Sequence, residues 1–222
     1  MNDKKKANQK LFRDDSGEVK NMLNKIEGIS YKDSPIDFFI LLARYKFAAR
    51  LIRKDQDIID VGCGKGYGTV FLSKYAKNVV GVDRDDELIS YNSNEHSDND
   101  QISFKTMDLL EIDKSDIARY DAVVSMDVIE HFVKEDIPLA VENYSKLIKD
   151  DGFAIIGTPN IASRDFASQR RIDTHPFEFT DKEFEETLKK SFKNVFMFSM
   201  TDEIVSTQFT GLSWYLMALC TK

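Results

Sequence analysis

After a polar and charged opening that runs from Met1 to about Lys20, apolar side chains begin to recur in patterns. Phe38, Leu41, Leu42, Tyr45, Ala48 and Leu51 stand three and four apart, the period of one helical face. Asp55 to Asp57 interrupt that pattern. The short run Ile58-Ile59-Asp60-Val61 that follows reads as a buried strand leading into glycines. Further strand-like runs occupy residues 79–82, 102–105, 122–126 and 153–157, with helical patterns between several of them, notably over 69–77 and 137–148. Strands alternating with helices predict parallel βαβ units with right-handed crossovers, hence an α/β doubly wound sheet. The end of the chain differs. A helix over 181–190, a strand over 195–199 and a strand over 213–220, with no helix between the two strands, predict an antiparallel pair at one sheet edge.

Length and composition narrow this little. At 222 residues the chain accommodates one α/β domain with a small N-terminal extension, here residues 1–50 as extension and cap helices. A net charge of −7 argues against broad, non-specific binding to a phosphate backbone, although a local basic patch is compatible with it. Cys63 and Cys220 fall in strand or strand-end positions and suggest neither a disulfide framework nor a structural zinc site. No apolar run reaches the ~18 residues of a membrane span, and MNDKKKANQK lacks the apolar stretch of a signal peptide. A cytoplasmic setting is therefore expected.

Chemistry first shows in Asp60-Val-Gly62-Cys-Gly64-Lys-Gly66-Tyr-Gly68, between the first strand and a helix. Gly62 and Gly64 permit positive φ and leave no Cβ to block a ligand lying along the backbone. That suits any nucleotide, but two familiar loops fail on spacing. GxGxxG would need glycine at Tyr67 or at Thr69; the P-loop would need Ser or Thr at Gly66 and glycine at Ile59. Val79-Val-Gly-Val-Asp83 then ends a buried strand in a carboxylate about twenty residues past the glycines, the separation that sets an acid against ribose hydroxyls.

DVGCGKGYG, VVGVD, FKTMDLLE, YDAVVSMDVIEHF and LIKDDGFAIIGTPN, in that order, resemble class I S-adenosylmethionine-dependent methyltransferases over roughly residues 38–222. The resemblance implies a methyltransferase domain over 51–222 with a seven-stranded sheet of order 3-2-1-4-5-7-6, strand seven antiparallel. It assigns Gly62 and Gly64 to the methionine portion of S-adenosylmethionine, Asp83 to its ribose, and Met107 and Asp108 to its adenine. Met126 would line the pocket near the sulfonium. Asp60 would hold backbone or the amino group beneath the loop. Arg44 resembles a residue that some relatives place on the cofactor carboxylate; the alternative is a surface helix charge.

Asp127, Glu130 and His131 follow the fourth strand directly. On a helical turn, spacings of three and four put them on one side, at the carboxyl edge where ligands of open α/β sheets bind. Asp127 as helix N-cap with Glu130 as its capping-box partner is the bland alternative. His131 qualifies as a general base. A long loop from Thr158-Pro-Asn160 to His175-Pro-Phe-Glu178-Phe-Thr180 could bring His175 opposite it, and Thr180 with Glu183 forms a capping-box pattern. DxxEH…H resembles the metal site of RNA 3′-end 2′-O-methyltransferases and ubiquinone-pathway O-methyltransferases, with Asp127 where they carry Glu. That resemblance implies Asp127, Glu130, His131 and His175 around Mg²⁺, Mn²⁺ or Fe²⁺; a metal-free site with His131 as base, supported by Asp127, stays open. His96 and Lys65 read as solvated.

Tyr31, Phe38, Phe209, Trp214 and Tyr215 are candidates for acceptor walls, with core packing the plainer reading. The tail over 196–222 resembles bacterial methyltransferases of surface polysaccharides, which implies O-methylation of a sugar hydroxyl on a small-molecule or glycan acceptor. Terminal 2′-O-methylation of RNA is the rival, and a non-catalytic cofactor-binding module the alternative from another class. A homodimer is left open.

Overall fold

In a computed structural model the protein is described over residues 35–208 and 210–222. The expectations for residues 1–34, Tyr31 among them, and for Phe209 lie outside the described residues.

The chain runs α1 (Pro35–Leu51), β1 (Asp57–Val61), α2 (Tyr67–Ser73), β2 (Asn78–Asp83), α3 (Asp86–Glu95), β3 (Ile102–Thr106), β4 (Tyr120–Met126), α4 (Ile137–Leu147) and β5 (Ile148–Pro159). It continues through α5 (Gln169–Thr174), α6 (Asp181–Leu188), β6 (Asn194–Met200), β7 (Val205–Ser206) and β8 (Tyr215–Thr221). The eight strands form one sheet of order β3-β2-β1-β4-β5-β8-β6-β7. Pairs among β1 to β5 are parallel, while β8 is antiparallel to both β5 and β6. The expected order is thus present, with β7 added as a two-residue strand on the outer edge of β6.

Alternation along each strand divides the core in two. Ile58, Val79, Ala122, Val124, Ile155 and Met217 pack with Ala48, Ala49 and Leu72 of α1 and α2. Ile59, Val123, Ala154, Ile156, Leu216 and Ala218 pack with Val141, Tyr144, Phe184 and Leu188 of α4 and α6. Both faces of the central strands are therefore dry, which is why those strands read as unbroken apolar runs.

Two sequence expectations shift. The helix expected over 69–77 is α2 and stops at Ser73. The stretch expected as a long loop after Asn160 is instead a 3₁₀ helix (Ile161–Phe166) followed by α5. It folds back because Asn160 and Phe179 form a parallel bridge and the N–H of Ile161 donates to the carbonyl of Phe179 at 2.9 Å. The capping box of Thr180 and Glu183 is present at the start of α6. No helix among the described residues is long and apolar enough to cross a membrane.

Candidate functional site

At the carboxyl end of β1 the loop turns through three left-handed glycines, Gly62, Gly64 and Gly66, with φ of 73°, 52° and 78°. A Cβ at Gly62 would lie 2.2 Å from Val128 Cγ2, so the loop packs directly under the segment that carries the acidic-histidine cluster. The N–H of Gly64 donates to Asp83 Oδ2 at 3.1 Å, and the N–H of Asp85 donates to Asp83 Oδ1 at 3.1 Å. Burial raises the Asp83 carboxyl above its ordinary value. Asp60 is fully buried; Thr69 Oγ1 donates to its Oδ2 at 2.7 Å, while Oδ1 has no hydrogen-bond partner. Burial, opposed by Thr69 and reinforced by Asp83, lifts Asp60 to about 7. Met107 is buried behind Asp83, whose carbonyl accepts from its N–H at 2.9 Å. Asp108 is exposed at the end of β3, with Oδ1 accepting from the N–H of Leu110 at 2.9 Å. A nucleoside-shaped ligand fits this edge: tight backbone at the glycines, an acid at the tip of β2, another past β3, and an orphaned acceptor beneath the loop.

Two side chains near this loop depart from expectation. Lys65, expected in solvent, is buried, because the left-handed turns fold the loop onto itself. His96, expected at the surface, is half-buried and stacks on Phe104 with ring centroids 5.8 Å apart. Both cysteines are buried, and burial pushes their thiols well above the ordinary range, away from nucleophilic use.

Asp127 takes a left-handed φ of 58° and no helix starts there, so the capping-box alternative with Glu130 does not form. That backbone turn sends its carboxylate to the Arg44 guanidinium on α1, and Arg44 lies over the Tyr215 ring at 3.6 Å from the centroid. Tyr215 is core and also contacts Met126, with its hydroxyl 3.9 Å from Sδ. Trp214 beside it is 58% exposed, and Phe38 is half-buried on α1 with its ring edge-on to Phe39.

Glu130 and His131 sit on a 3₁₀ turn over Ile129–His131. Glu130 is fully buried and accepts from Thr158 Oγ1 at 3.1 Å. His131 and His175 meet edge to face, centroids 4.9 Å apart. Ligand atoms of Glu130, His131 and His175 lie within 4.8 Å of one another. Asp127 stands outside that 4.8 Å group, although its charge still acts on His131 in the raising direction.

Both imidazoles have a defined partner. Nδ1 of His131 lies 3.0 Å from the carbonyl oxygen of Thr174, which can only accept, so Nδ1 carries the proton. Nδ1 of His175 lies 2.9 Å from Glu178 Oε1. Burial drives the Glu178 carboxyl up, but bonds from His175 and Arg171 outweigh this and hold it at about 2, so it is an ionised acceptor. When neutral, each ring thereby keeps its lone pair on Nε2, the arrangement of ligating histidines oriented by an outer acceptor. Burial, with His175 adding to it, depresses His131 to about 4. Sequence reasoning missed Thr174 and Arg171, gave Glu178 no role, and offered Tyr215 as an acceptor wall or core residue without its place under Arg44. Only Glu178 left a trace, as the acid three residues past His175.

Residues 59–156 match the family model described as a methyltransferase domain. That stretch runs from β1 into β5 and includes the glycine loop and the turn that carries Glu130 and His131. Two curated relatives carry the name ubiquinone biosynthesis O-methyltransferase. The mitochondrial protein of Bos taurus is 33% identical over 115 residues, 50% of this chain and 30% of that protein. That of Coxiella burnetii is 33% identical over 109 residues, 48% of this chain and 45% of that protein. The chain thus spans less than half the length of these relatives. Among solved structures, the methyltransferase domain of bacterial CtHen1 superposes with a TM-score of 0.64 at 23% identity, covering 82% of this chain and 100% of that one.

Proposed function

We propose that this chain transfers a methyl group from S-adenosylmethionine to a hydroxyl oxygen. The observation that carries it is the pair of imidazoles, each with its Nδ1 proton engaged elsewhere, gathered with Glu130 at the tip of β4 over the glycine loop. Bound S-adenosylmethionine supplies a methyl carbon on a sulfonium. As the acceptor oxygen bonds to that carbon, the carbon–sulfur bond breaks and its electron pair goes to sulfur. The hydroxyl proton goes to Nε2 of His131, which burial keeps neutral at ordinary pH. In-line alignment supplies much of the acceleration. Glu130, His131 and His175 also fit a divalent cation (Mg²⁺, Mn²⁺ or Fe²⁺) by donor chemistry; such an ion would occupy Nε2 of His131, making it a ligand instead of the base, and would supply Lewis acidity toward the hydroxyl.

For the acceptor we retain a sugar hydroxyl, as on a nucleotide-linked or oligosaccharide precursor. The resemblance of the tail supports it, as does Trp214, whose exposed face at the carboxyl edge suits stacking against a pyranose ring. The relatives' names point to hydroxyl acceptors more generally.

Purified chain, methyl-labelled donor and three acceptor sets (nucleotide sugars, catechols, short RNA) test this. Label on sugars, lost with chelator and restored by Mn²⁺, supports the metal-assisted form; chelator-insensitive transfer leaves His131 as base. Label only on catechols or RNA removes the sugar reading. No transfer to any set, with no calorimetric heat for S-adenosylhomocysteine, overturns the whole proposal.

A further inference from the structure

Behind the imidazole pair lies a buried carboxylate that methyl transfer does not itself consume. Glu178 is buried, with Oε1 accepting from Arg171 Nε at 2.7 Å and from His175 Nδ1 at 2.9 Å, and Arg164 Nη1 3.2 Å from Oε2. A buried carboxylate is tolerated when cations and donors surround it in this way. Arg171 spends each guanidinium nitrogen on a different partner: Nε on Glu178, Nη1 on Ser163 Oγ at 2.9 Å, and Nη2 on the carbonyl of Asn160 at 3.0 Å. Those partners belong to the turn after His175, the 3₁₀ helix and the end of β5. Arg171 therefore clamps α5 against the sheet edge from within.

α5 is also what holds both rings. Its last residue, Thr174, accepts from His131, and the next residue is His175 itself. A shift of this short helix would move both rings of the cluster together.

We propose that Glu178 and Arg171 are positioning residues for methyl transfer, holding His175 as the Nδ1–H tautomer and seating α5 so that both imidazoles keep their places beside Glu130. The proposal rests on reading Glu130, His131 and His175 as the methyl-transfer site. Neither residue touches the reacting atoms. Arginine suits the position because its planar fork meets three divergent acceptors from three separate nitrogens, whereas a lysine ammonium donates from a single atom. Outer acceptors on functional histidines typically matter by about 10–100-fold in activity or metal affinity.

Nitrogen-15 spectra of the histidines in the full chain, taken with steady-state kinetics, test it. Wild type should show His175 as the Nδ1–H tautomer. Glu178→Leu, which leaves His175 Nδ1 without that acceptor, should lose that signature and lower kcat about 10–100-fold, with KM for S-adenosylmethionine unchanged. Arg171→Lys, which keeps the charge, should move the resonances of both His131 and His175 and lower kcat in the same direction. Should Glu178→Leu fail to fold, Arg171→Lys decides alone. Wild-type spectra and kcat in a folded variant overturn the proposal, as does a loss confined to KM. If the wild-type chain methylates no acceptor, the functional reading fails while the spectra still decide whether Glu178 and Arg171 position the rings.

Discussion

Nδ1 of His131 donates to the carbonyl oxygen of Thr174 at 3.0 Å, across 43 positions of sequence. The ring is carried by the turn after β4, but its tautomer is set by the end of α5. Because a carbonyl cannot donate, the neutral ring has one arrangement, with the lone pair on Nε2. A side chain that sequence places as a candidate base thus becomes a defined one through a residue that no motif marks.

Acid should expose this arrangement. Burial and His175 lower His131 to about 4, against 6.5 for the free group. Above pH 6.5 neither folded nor unfolded chain is charged there, so nothing is lost. As pH falls from 6.5 toward 4 the unfolded chain takes up a proton that the folded one refuses, and stability declines, by at most about 3 kcal/mol. Scanning calorimetry of wild type and His131→Asn between pH 7 and 5 should show a shallower decline in Tm for the variant. Parallel declines would contradict the assignment.

Asp60 behaves in the opposite sense. With the folded carboxyl raised to about 7 from 3.8, the folded chain holds its proton where the unfolded chain has lost it, so this group's contribution worsens as pH rises from 3.8 to 7. Asp60→Asn still offers an acceptor to Thr69 and removes the buried charge. The variant without ligand should melt higher than wild type at pH 8, with the gain shrinking as pH approaches 4. It should bind S-adenosylhomocysteine about tenfold more weakly if Asp60 serves the cofactor, the effect of a lost charge-assisted bond. Melting curves and calorimetry read the two effects separately.

Gly62→Ala combines a left-handed φ of 73° with a Cβ 2.2 Å from Val128 Cγ2. A loss of about 2–4 kcal/mol in urea unfolding is expected. Gly211→Ala is the control, since its Cβ meets nothing nearer than 3.6 Å. Equal midpoints for the two variants would refute the close packing of loop on turn.

Manganese binding, followed by the electron-paramagnetic signal of the free ion, separates Asp127 from the cluster. Glu130→Gln and His175→Ala should abolish measurable binding. Asp127→Asn should leave it intact, because Asp127 faces Arg44 and not the group formed by Glu130, His131 and His175. Loss of binding in Asp127→Asn would restore the four-ligand set.

Much of the site could be read in advance where it depends on local spacing. Asp83 stands at the tip of β2, and Gly62 and Gly64 take left-handed turns between β1 and α2, as their positions in the sequence implied. Asp127 was different: spacing of three and four put it beside Glu130 and His131, but that rule holds only on a continuous helical turn. Its left-handed backbone breaks the turn and delivers the carboxylate to α1. His96 and Lys65 were misplaced for a related reason, since polar neighbours in sequence do not say what a folded loop or a ring such as Phe104 will cover.

The sequence by itself determined the two-sided apolar strands, the order of strands and helices, the glycine loop and the residue types available for chemistry. Those properties follow from side-chain period and backbone preference over a few residues. Only the tertiary structure decided that His131 faces His175, that Thr174 and Glu178 accept the hydrogen bonds from their Nδ1, and that Arg44 claims Asp127. Each of the last three pairings requires a hydrogen-bonding group to be removed from water and met by a partner, in all but the His175–Glu178 pair one far off in the chain, and that partner is chosen by how the helices dock on the sheet.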